Sequence, residues 1–157
     1  MCNSRRRNAF TLIEVLIVVI IMAVLAATII PQFTTSTKDA KESSLKFNMH
    51  TMRAQIELYK AQHNGTYPPI ENNSIPKLTK KTTAGGADNG DLGPYVDQIP
   101  ANPCDGKNFV TAVSLNGAIP TGPADGNGGW QYDAATGQIW PNCTTDEFNY
   151  PSLNPGT

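Results

Sequence analysis

Residues 5–30 read RRRNAFTLIEVLIVVIIMAVLAATII, in which three arginines precede a long apolar run and one acid, Glu14, lies near the start of that run. No other charged residue follows before Lys38. A helix of about 20 apolar residues is long enough to cross a bilayer. A carboxylate within such a helix costs roughly 2.5–3.5 kcal/mol on insertion scales. The run therefore predicts a transmembrane helix, and Glu14 is a candidate functional residue.

The charge around this run is asymmetric. The first nine residues contain three arginines and no acid, whereas the rest of the chain has nine basic and thirteen acidic residues, a formal charge of −4. Positively charged flanks tend to stay on the cytoplasmic side of a membrane. We therefore expect a cytoplasmic N-terminus, one membrane crossing and a mildly acidic region beyond it. Because no basic patch follows the leader, nucleic acid is not an expected partner.

The motif from Ala9 to Glu14, AFTLIE, lies between this short basic leader and the apolar helix. It resembles the class III signal of type IV pilins and type II secretion pseudopilins. The resemblance implies that a prepilin peptidase cleaves between Ala9 and Phe10, usually with N-methylation of Phe10. It also implies that Glu14 pairs with the Phe10 amine of a neighbouring subunit in a filament, which would set the register of assembly. The family normally has Gly where this chain has Ala9.

Two other interpretations of the N-terminus remain open. One is a secretory signal peptide with small residues near Ala26-Ala27. Glu14 and an apolar run longer than the usual ~7–15 residues count against it. The other is a plain membrane anchor with an incidental acid. The mature N-terminus distinguishes the pilin-like interpretation from both.

A helical pattern continues over residues 11–63. Pro31 has no N–H, so we expect a kink or local melting over residues 28–31, and the resemblance makes Pro31 a candidate assembly residue. Farther along, one apolar stripe recurs at steps of three and four residues and predicts an amphipathic helix packed under a sheet. Asn64-Gly65 predicts the end of the helix. The stripe consists of Leu45, Met49, Met52, Ile56 and Tyr59.

The C-terminal region predicts a small sheet. Residues 108–115 alternate apolar and polar side chains, as a strand does. Residues 130–132 and 138–140 predict a hairpin, with Gly137 at a positive φ in its turn. Residues 82–93 are expected to form a flexible loop. The expected fold class is α+β and pilin-like, with a long N-terminal helix packed against an antiparallel sheet of three or four strands.

These features divide the chain into a cleaved leader, a transmembrane and assembly helix, an amphipathic helix and a loop-rich β region. Their boundaries are residues 1–9, 10–37, 38–64 and 65–157. The last two segments together, residues 38–157, are expected to form one globular domain.

Cys104 and Cys143 are both expected on the side of the membrane where disulfides persist. A bond between them would close a loop of about 39 residues and stabilise the domain by ~4 kcal/mol in the loop-entropy model. Two buried thiols are the alternative. Because neither cysteine has a second Cys or His at ligand spacing, a zinc site is not expected.

Residues 95–109 resemble a segment of major pseudopilins, which often bind calcium in a loop beside the sheet. The candidate calcium ligands in this chain are Asp125, Asn127 and Asp133, with ordinary turn residues as the alternative. No other cofactor is expected. His50 and His63 have no Cys or paired acid at ligand spacing, so we expect surface or capping roles for them.

No nucleophile–base pair, metal-ligand cluster or phosphate loop is recognisable, so the chain is not expected to be an enzyme. The resemblance implies a structural subunit of a type II secretion pseudopilus, which assembles through its N-terminal helix into a filament that drives protein export. The alternatives are a type IV pilin, major or minor, for adhesion, motility or DNA uptake, and a membrane-anchored periplasmic binding module.

The resemblance also implies partners and a location. The expected partners are further copies of the chain in a helical homopolymer, minor pseudopilins or pilins, prepilin peptidase, the inner-membrane assembly platform and membrane lipid. The expected location is the bacterial inner membrane, with the C-terminal domain in the periplasm. Assembled subunits are expected in a periplasmic or extracellular filament.

Overall fold

The structure is a computed structural model that describes residues 10–143, without the side chains of residues 30–36. The chain divides into two compact units, Met1–Asp39 and Ala40–Thr157. Two helices are followed by three short strands along the described chain. The elements are α1 (Leu12–Gln62), α2 (Pro76–Thr79), β1 (Val110–Ala112), β2 (Trp130–Asp133) and β3 (Gln138–Pro141).

The first unit contains the apolar part of α1. The window Leu12–Ile29 has a mean hydropathy of 3.0 and none of it is buried, so by length and composition it qualifies as a membrane span. Helical backbone continues through Pro31, so the local melting expected over residues 28–31 is not found. A proline removes only one backbone hydrogen bond. The turns on both sides of that position remain helical.

The second unit is built around the predicted stripe of α1. All five stripe residues are at most 3% exposed. They pack in one core cluster with hydrophobic residues of the loops and the sheet, including Ile75, Val110 and Trp130. The sequence prediction of an amphipathic helix under a sheet is therefore confirmed. The helix ends as predicted, with positive φ values at Asn64 and Gly65 and a hydrogen bond from the Gly65 N–H to the Lys60 carbonyl.

The sheet is mixed, and in this respect the prediction of an antiparallel sheet was wrong. The hairpin of β2 and β3 is antiparallel as predicted, with Asp133 opposite Gln138 and Gly137 at a φ of 73°. However, β1 pairs with β2 in parallel, with Val110 opposite Trp130. A parallel neighbour needs a crossover of about a dozen residues or more. Residues 113–129 provide that crossover, and the turn at Asn116-Gly117 lies within it.

The crossover also covers the sheet, since all four residues of β2 are buried. Gln131 is 1% exposed, and its side-chain amide donates to the carbonyls of Gly122 in the crossover and Pro141 in β3. The strand alternates apolar and polar side chains, yet Gln131 and Asp133 are buried as fully as Trp130 and Tyr132, so both faces of β2 are covered. Residues 122–129, here called the crossover loop, end at this buried strand.

The segment predicted to be a flexible loop has defined hydrogen bonds. Thr82 and Leu92 exchange two backbone hydrogen bonds of 2.8 and 3.0 Å. The carboxylate of Asp88 binds the Lys77 ammonium at 2.6 Å. Gly90 lies against the backbone of Thr82, where a Cβ atom would clash. The loop is therefore closed between its two ends and tied to α2.

Candidate functional site

The start of α1 is a capping box formed by Thr11 and Glu14. The Thr11 side-chain hydroxyl accepts a hydrogen bond from the Glu14 N–H at 3.3 Å. In return, one carboxylate oxygen of Glu14 accepts from the Thr11 N–H at 2.8 Å and from its hydroxyl at 2.7 Å. This reciprocal pattern satisfies backbone donors that have no partner within the helix. The spacing Thr-x-x-Glu is the sequence sign of such a cap and would have predicted it.

The cap places the negative charge beside the predicted cleavage point. Phe10 directly precedes Thr11, whose N–H is bound by the Glu14 carboxylate. A carboxylate at a helix N-terminus is also favoured by the helix dipole. Phe10 itself is 83% exposed, and the apolar side chains that follow it are exposed in this single chain as well. Ala9 lies outside the described residues, and Pro31 is described only by its helical backbone.

A second cluster of polar side chains lies around the crossover loop. A cleft of about 480 Å³ is lined by residues from three segments of the second unit. Cys104, Cys143, Asp125 and Asn142 are among the residues that contribute to it. The full lining consists of Cys104, Asp105, Lys107, Pro123, Asp125, Gly126, Gly128, Asn142 and Cys143.

Cys104 and Cys143 are brought to the same cleft. Asn102 contacts both residues, because its side-chain oxygen accepts from the Cys104 N–H at 3.0 Å and its amide lies 3.3 Å from the Cys143 sulfur. Cys143 is 5% exposed. The disulfide itself stays a prediction.

We expect protein isolated from an oxidising compartment to resist alkylation at Cys104 and Cys143 until it is reduced. The double variant Cys104→Ser/Cys143→Ser should lose about 2–5 kcal/mol of stability, the usual effect of removing a disulfide from a small domain. Peptide mass spectrometry and thermal unfolding with and without reductant measure these effects. Reductant should lower the melting temperature of the wild type alone. Alkylation of both thiols in the unreduced protein would contradict the bond.

The structure does not bring the three candidate calcium ligands together. Asp125 accepts hydrogen bonds from the Asn127 N–H and side-chain amide at 3.1 and 2.9 Å. Asp133 instead holds the turn that follows β1, where it accepts from the N–H groups of Leu115 and Asn116. Among residues 10–143 no three His, Cys, Asp or Glu side chains are grouped as a metal site would require.

Both aspartates are held in their charged form by these donors. Burial raises the pKa of Asp125, but hydrogen bonds from Asn142, Asn127 and Thr111 outweigh it, so the pKa lies below the ordinary aspartate value. For Asp133, burial again raises the pKa, but backbone N–H groups led by that of Ala135 outweigh this effect, so its pKa also lies below the ordinary aspartate value. These carboxylates serve as acceptors for internal N–H and O–H groups. In this arrangement the predicted set does not fit a calcium ion, which takes six to eight oxygen ligands.

The two histidines differ in environment. His50 is exposed on α1. His63 is buried and stacks on Tyr59 with 3.6 Å between ring centroids. One ring nitrogen lies 2.8 Å from the Tyr59 carbonyl and the other 2.8 Å from the Thr82 hydroxyl. His63 therefore caps the end of the helix, as expected, but from the interior of the unit.

Comparisons with known proteins identify relatives over most of the chain. The family model described as the prokaryotic N-terminal methylation motif matches residues 4–30. The chain is 30% identical to type II secretion system core protein G of Pseudomonas aeruginosa over 144 residues, which are 89% of this chain and 99% of the relative. It is 25% identical to core protein G of Dickeya chrysanthemi, over 74% of this chain and 75% of the relative. No solved protein structure matches the chain.

The methylation motif coincides with the capped start of the apolar helix, and the similarity to the Pseudomonas protein extends over nearly all of that relative. The sequence-based expectation of a pseudopilin is thereby confirmed. The chain belongs to the family of the type II secretion system core protein G, the major pseudopilin.

Proposed function

We propose that this chain is the structural, non-enzymatic subunit of a type II secretion pseudopilus and that it assembles through its N-terminal helix into a filament that drives protein export. The observation that carries the proposal is the position of Glu14. Its carboxylate is fixed at the first turn of an exposed apolar helix by a hydrogen bond from the N–H of Thr11, the residue that follows Phe10. Near-full-length similarity to core protein G supports the same function.

The chemistry of assembly follows from this position. Cleavage before Phe10 removes the arginine leader and creates a positively charged amine at the start of the helix. Within one chain the Glu14 carboxylate is already bound by Thr11, which keeps it oriented at the helix start. A neighbouring subunit can then present its own amine to that carboxylate. A buried charge pair is tolerable, whereas one unpaired partner is strongly destabilising, so only the correct register is stable.

Processing and export define the partners and the location in this proposal. Prepilin peptidase cuts the leader at the cytoplasmic face, and the helix stays in the inner membrane among lipid until the assembly platform adds the subunit to the filament. Arginines before the apolar run favour a cytoplasmic N-terminus. The second unit then lies in the periplasm, where further copies of the chain and minor pseudopilins are its neighbours in the filament.

The mature N-terminus tests the proposal. We expect intact mass spectrometry of protein from a host with prepilin peptidase to show a chain that begins at Phe10 and carries one methyl group. The same chain from a host without the peptidase should retain its leader and provides the control. A start near Ala27 would instead identify a signal peptide, and an intact Met1 in the presence of the peptidase would identify a plain anchor.

A further inference from the structure

We propose that Asn142 and Lys107 close the crossover loop in the role that a bound calcium ion would serve, so that the second unit folds and stays folded without calcium. The resemblance to major pseudopilins implied a calcium loop beside the sheet, and the residues present do not fit one. The inference concerns the loop alone and does not depend on filament assembly. The evidence is that the oxygen atoms of the loop that could bind calcium already accept hydrogen bonds from donors within the chain.

The carboxylate of Asp125 has no acceptor site left for a metal ion. One of its oxygens accepts from the Asn142 side-chain amide at 2.6 Å and from the Asn127 N–H at 3.1 Å. The other accepts from the Asn127 side-chain amide at 2.9 Å and from the Thr111 hydroxyl at 3.1 Å. An ionised carboxylate offers about four lone-pair sites. Each of these four sites on Asp125 accepts a hydrogen bond from a donor within the chain.

The backbone carbonyls of the loop are occupied in the same way. The ammonium of Lys107 donates to the Asn127 carbonyl at 2.7 Å. The side-chain amide of Asn142 donates to the Gly128 carbonyl at 3.1 Å. The Gly129 carbonyl accepts from the Asn142 N–H at 2.8 Å. A calcium ion would have to displace these donors to collect six to eight oxygens.

Asn142 is the central residue of this arrangement. It is 2% exposed, and its side-chain oxygen accepts from the Ala124 N–H at 2.7 Å while its amide makes the two bonds above. One side chain thus connects both ends of the crossover loop to β3, which ends at the preceding residue. The backbone donor at Ala124 fixes which end of the amide is the oxygen. A carboxylate at this position would face the carboxylate of Asp125, and the two negative charges would repel each other.

Lys107 supplies the positive charge at the open side of the cleft. It shares that side with Asp105, whose carboxylate accepts from the Lys107 N–H at 3.0 Å and from the Gly129 N–H at 2.7 Å. Lys107, whose ammonium binds the Asn127 carbonyl, lines the same cleft as Asp105 and Asp125. A positive charge there repels a divalent cation that approaches the cleft.

The direct test is thermal unfolding of the full-length protein in detergent, in excess EDTA and in millimolar CaCl₂, with MgCl₂ as the control for ionic strength. A ligand present at a hundred times its Kd would raise the melting temperature of a domain of this size by on the order of 10 °C. We expect calcium to change the melting temperature by no more than magnesium does. A calcium-specific rise of about 4 °C or more would overturn the proposal.

The variant Asn142→Asp tests whether this residue is the closing group. It keeps the size of the side chain but replaces the amide donor with a second carboxylate beside Asp125. We expect its melting temperature in EDTA to fall by about 4–8 °C. We also expect calcium to restore part of the loss, since the loop then has an additional anionic ligand. The matched control Asn73→Asp makes the same charge change at an exposed turn residue and should have little effect.

Two outcomes of this comparison would overturn the proposal. One is an Asn142→Asp variant that melts in EDTA at the temperature of the Asn73→Asp control. The other is a destabilised variant that calcium does not stabilise beyond the effect of magnesium. If Asn142→Asp does not fold, Lys107→Met replaces it and should lower the melting temperature equally in EDTA and in calcium. Its control is Lys81→Met, at an exposed lysine outside the cleft.

Discussion

A Glu14→Gln variant should insert into the membrane and lose its leader like the wild type, yet fail to form filaments. Glutamine keeps an acceptor for the Thr11 N–H and hydroxyl, so the capped helix start is preserved. It removes the charge that would pair with the Phe10 amine of a neighbour. An amine left unpaired in an apolar environment costs about 3–5 kcal/mol. Each subunit addition then becomes less favourable by roughly two to three and a half orders of magnitude.

Two further variants separate the charge from the helix cap. Thr11→Ala removes the hydroxyl of the capping box but keeps the Glu14 carboxylate, and we expect it to assemble. Val15→Ala shortens a neighbouring exposed side chain and controls for general damage to the helix. Filaments are quantified by shearing and immunoblotting, and processing by the size of the membrane-bound chain. Wild-type filament levels for Glu14→Gln would exclude the charge pair as the register device.

A Trp130→Ala variant should lose about 3–5 kcal/mol of stability, which is the usual range for removing a buried aromatic side chain. Trp130 is fully buried in the central strand of the sheet, and its indole N–H donates to the Pro100 carbonyl at 2.8 Å. The truncation leaves a cavity and an unpaired carbonyl at the same point. Small domains have only about 5–15 kcal/mol of stability in total. We therefore expect poor accumulation of this variant in cells.

Urea unfolding of the detergent-solubilised chain measures the loss. The variant Trp130→Phe should lose less, because it keeps an aromatic ring and removes chiefly the hydrogen bond, whose net contribution is about 0.5–1.5 kcal/mol. Phe109→Ala is the control, since Phe109 precedes β1 and is 50% exposed. Equal losses for Trp130→Ala and Phe109→Ala would show that the core is not organised around Trp130.

Features set by local pattern were predictable from the sequence. The buried stripe of α1 follows from apolar side chains at helical spacing, and the end of the helix follows from Asn64-Gly65, which tolerates positive φ. The hairpin of β2 and β3 follows from two short segments rich in aromatic and aliphatic side chains, joined by a turn that contains Gly137. The capping box of Thr11 and Glu14 was predictable as well, because its two residues lie within one helical turn.

Features that depend on contacts between distant segments were not predictable. The parallel pairing of β1 with β2 depends on how the crossover of residues 113–129 folds back over the sheet. The same folding separates Asp133 from Asp125, because Asp133 binds the turn at Leu115 and Asn116. A spacing along the chain therefore could not show which of the candidate calcium ligands would meet.

The sequence by itself determined the membrane-length helix, its single acid and the leader that precedes them, because length, hydropathy and charge order are properties of a continuous segment. It also determined which face of the helix is buried. Only the tertiary structure decided the direction of β1 and the donors that meet the oxygens of the crossover loop. Those donors come from Lys107 and Asn142, which lie on opposite sides of the loop in sequence and meet it only after the chain has folded.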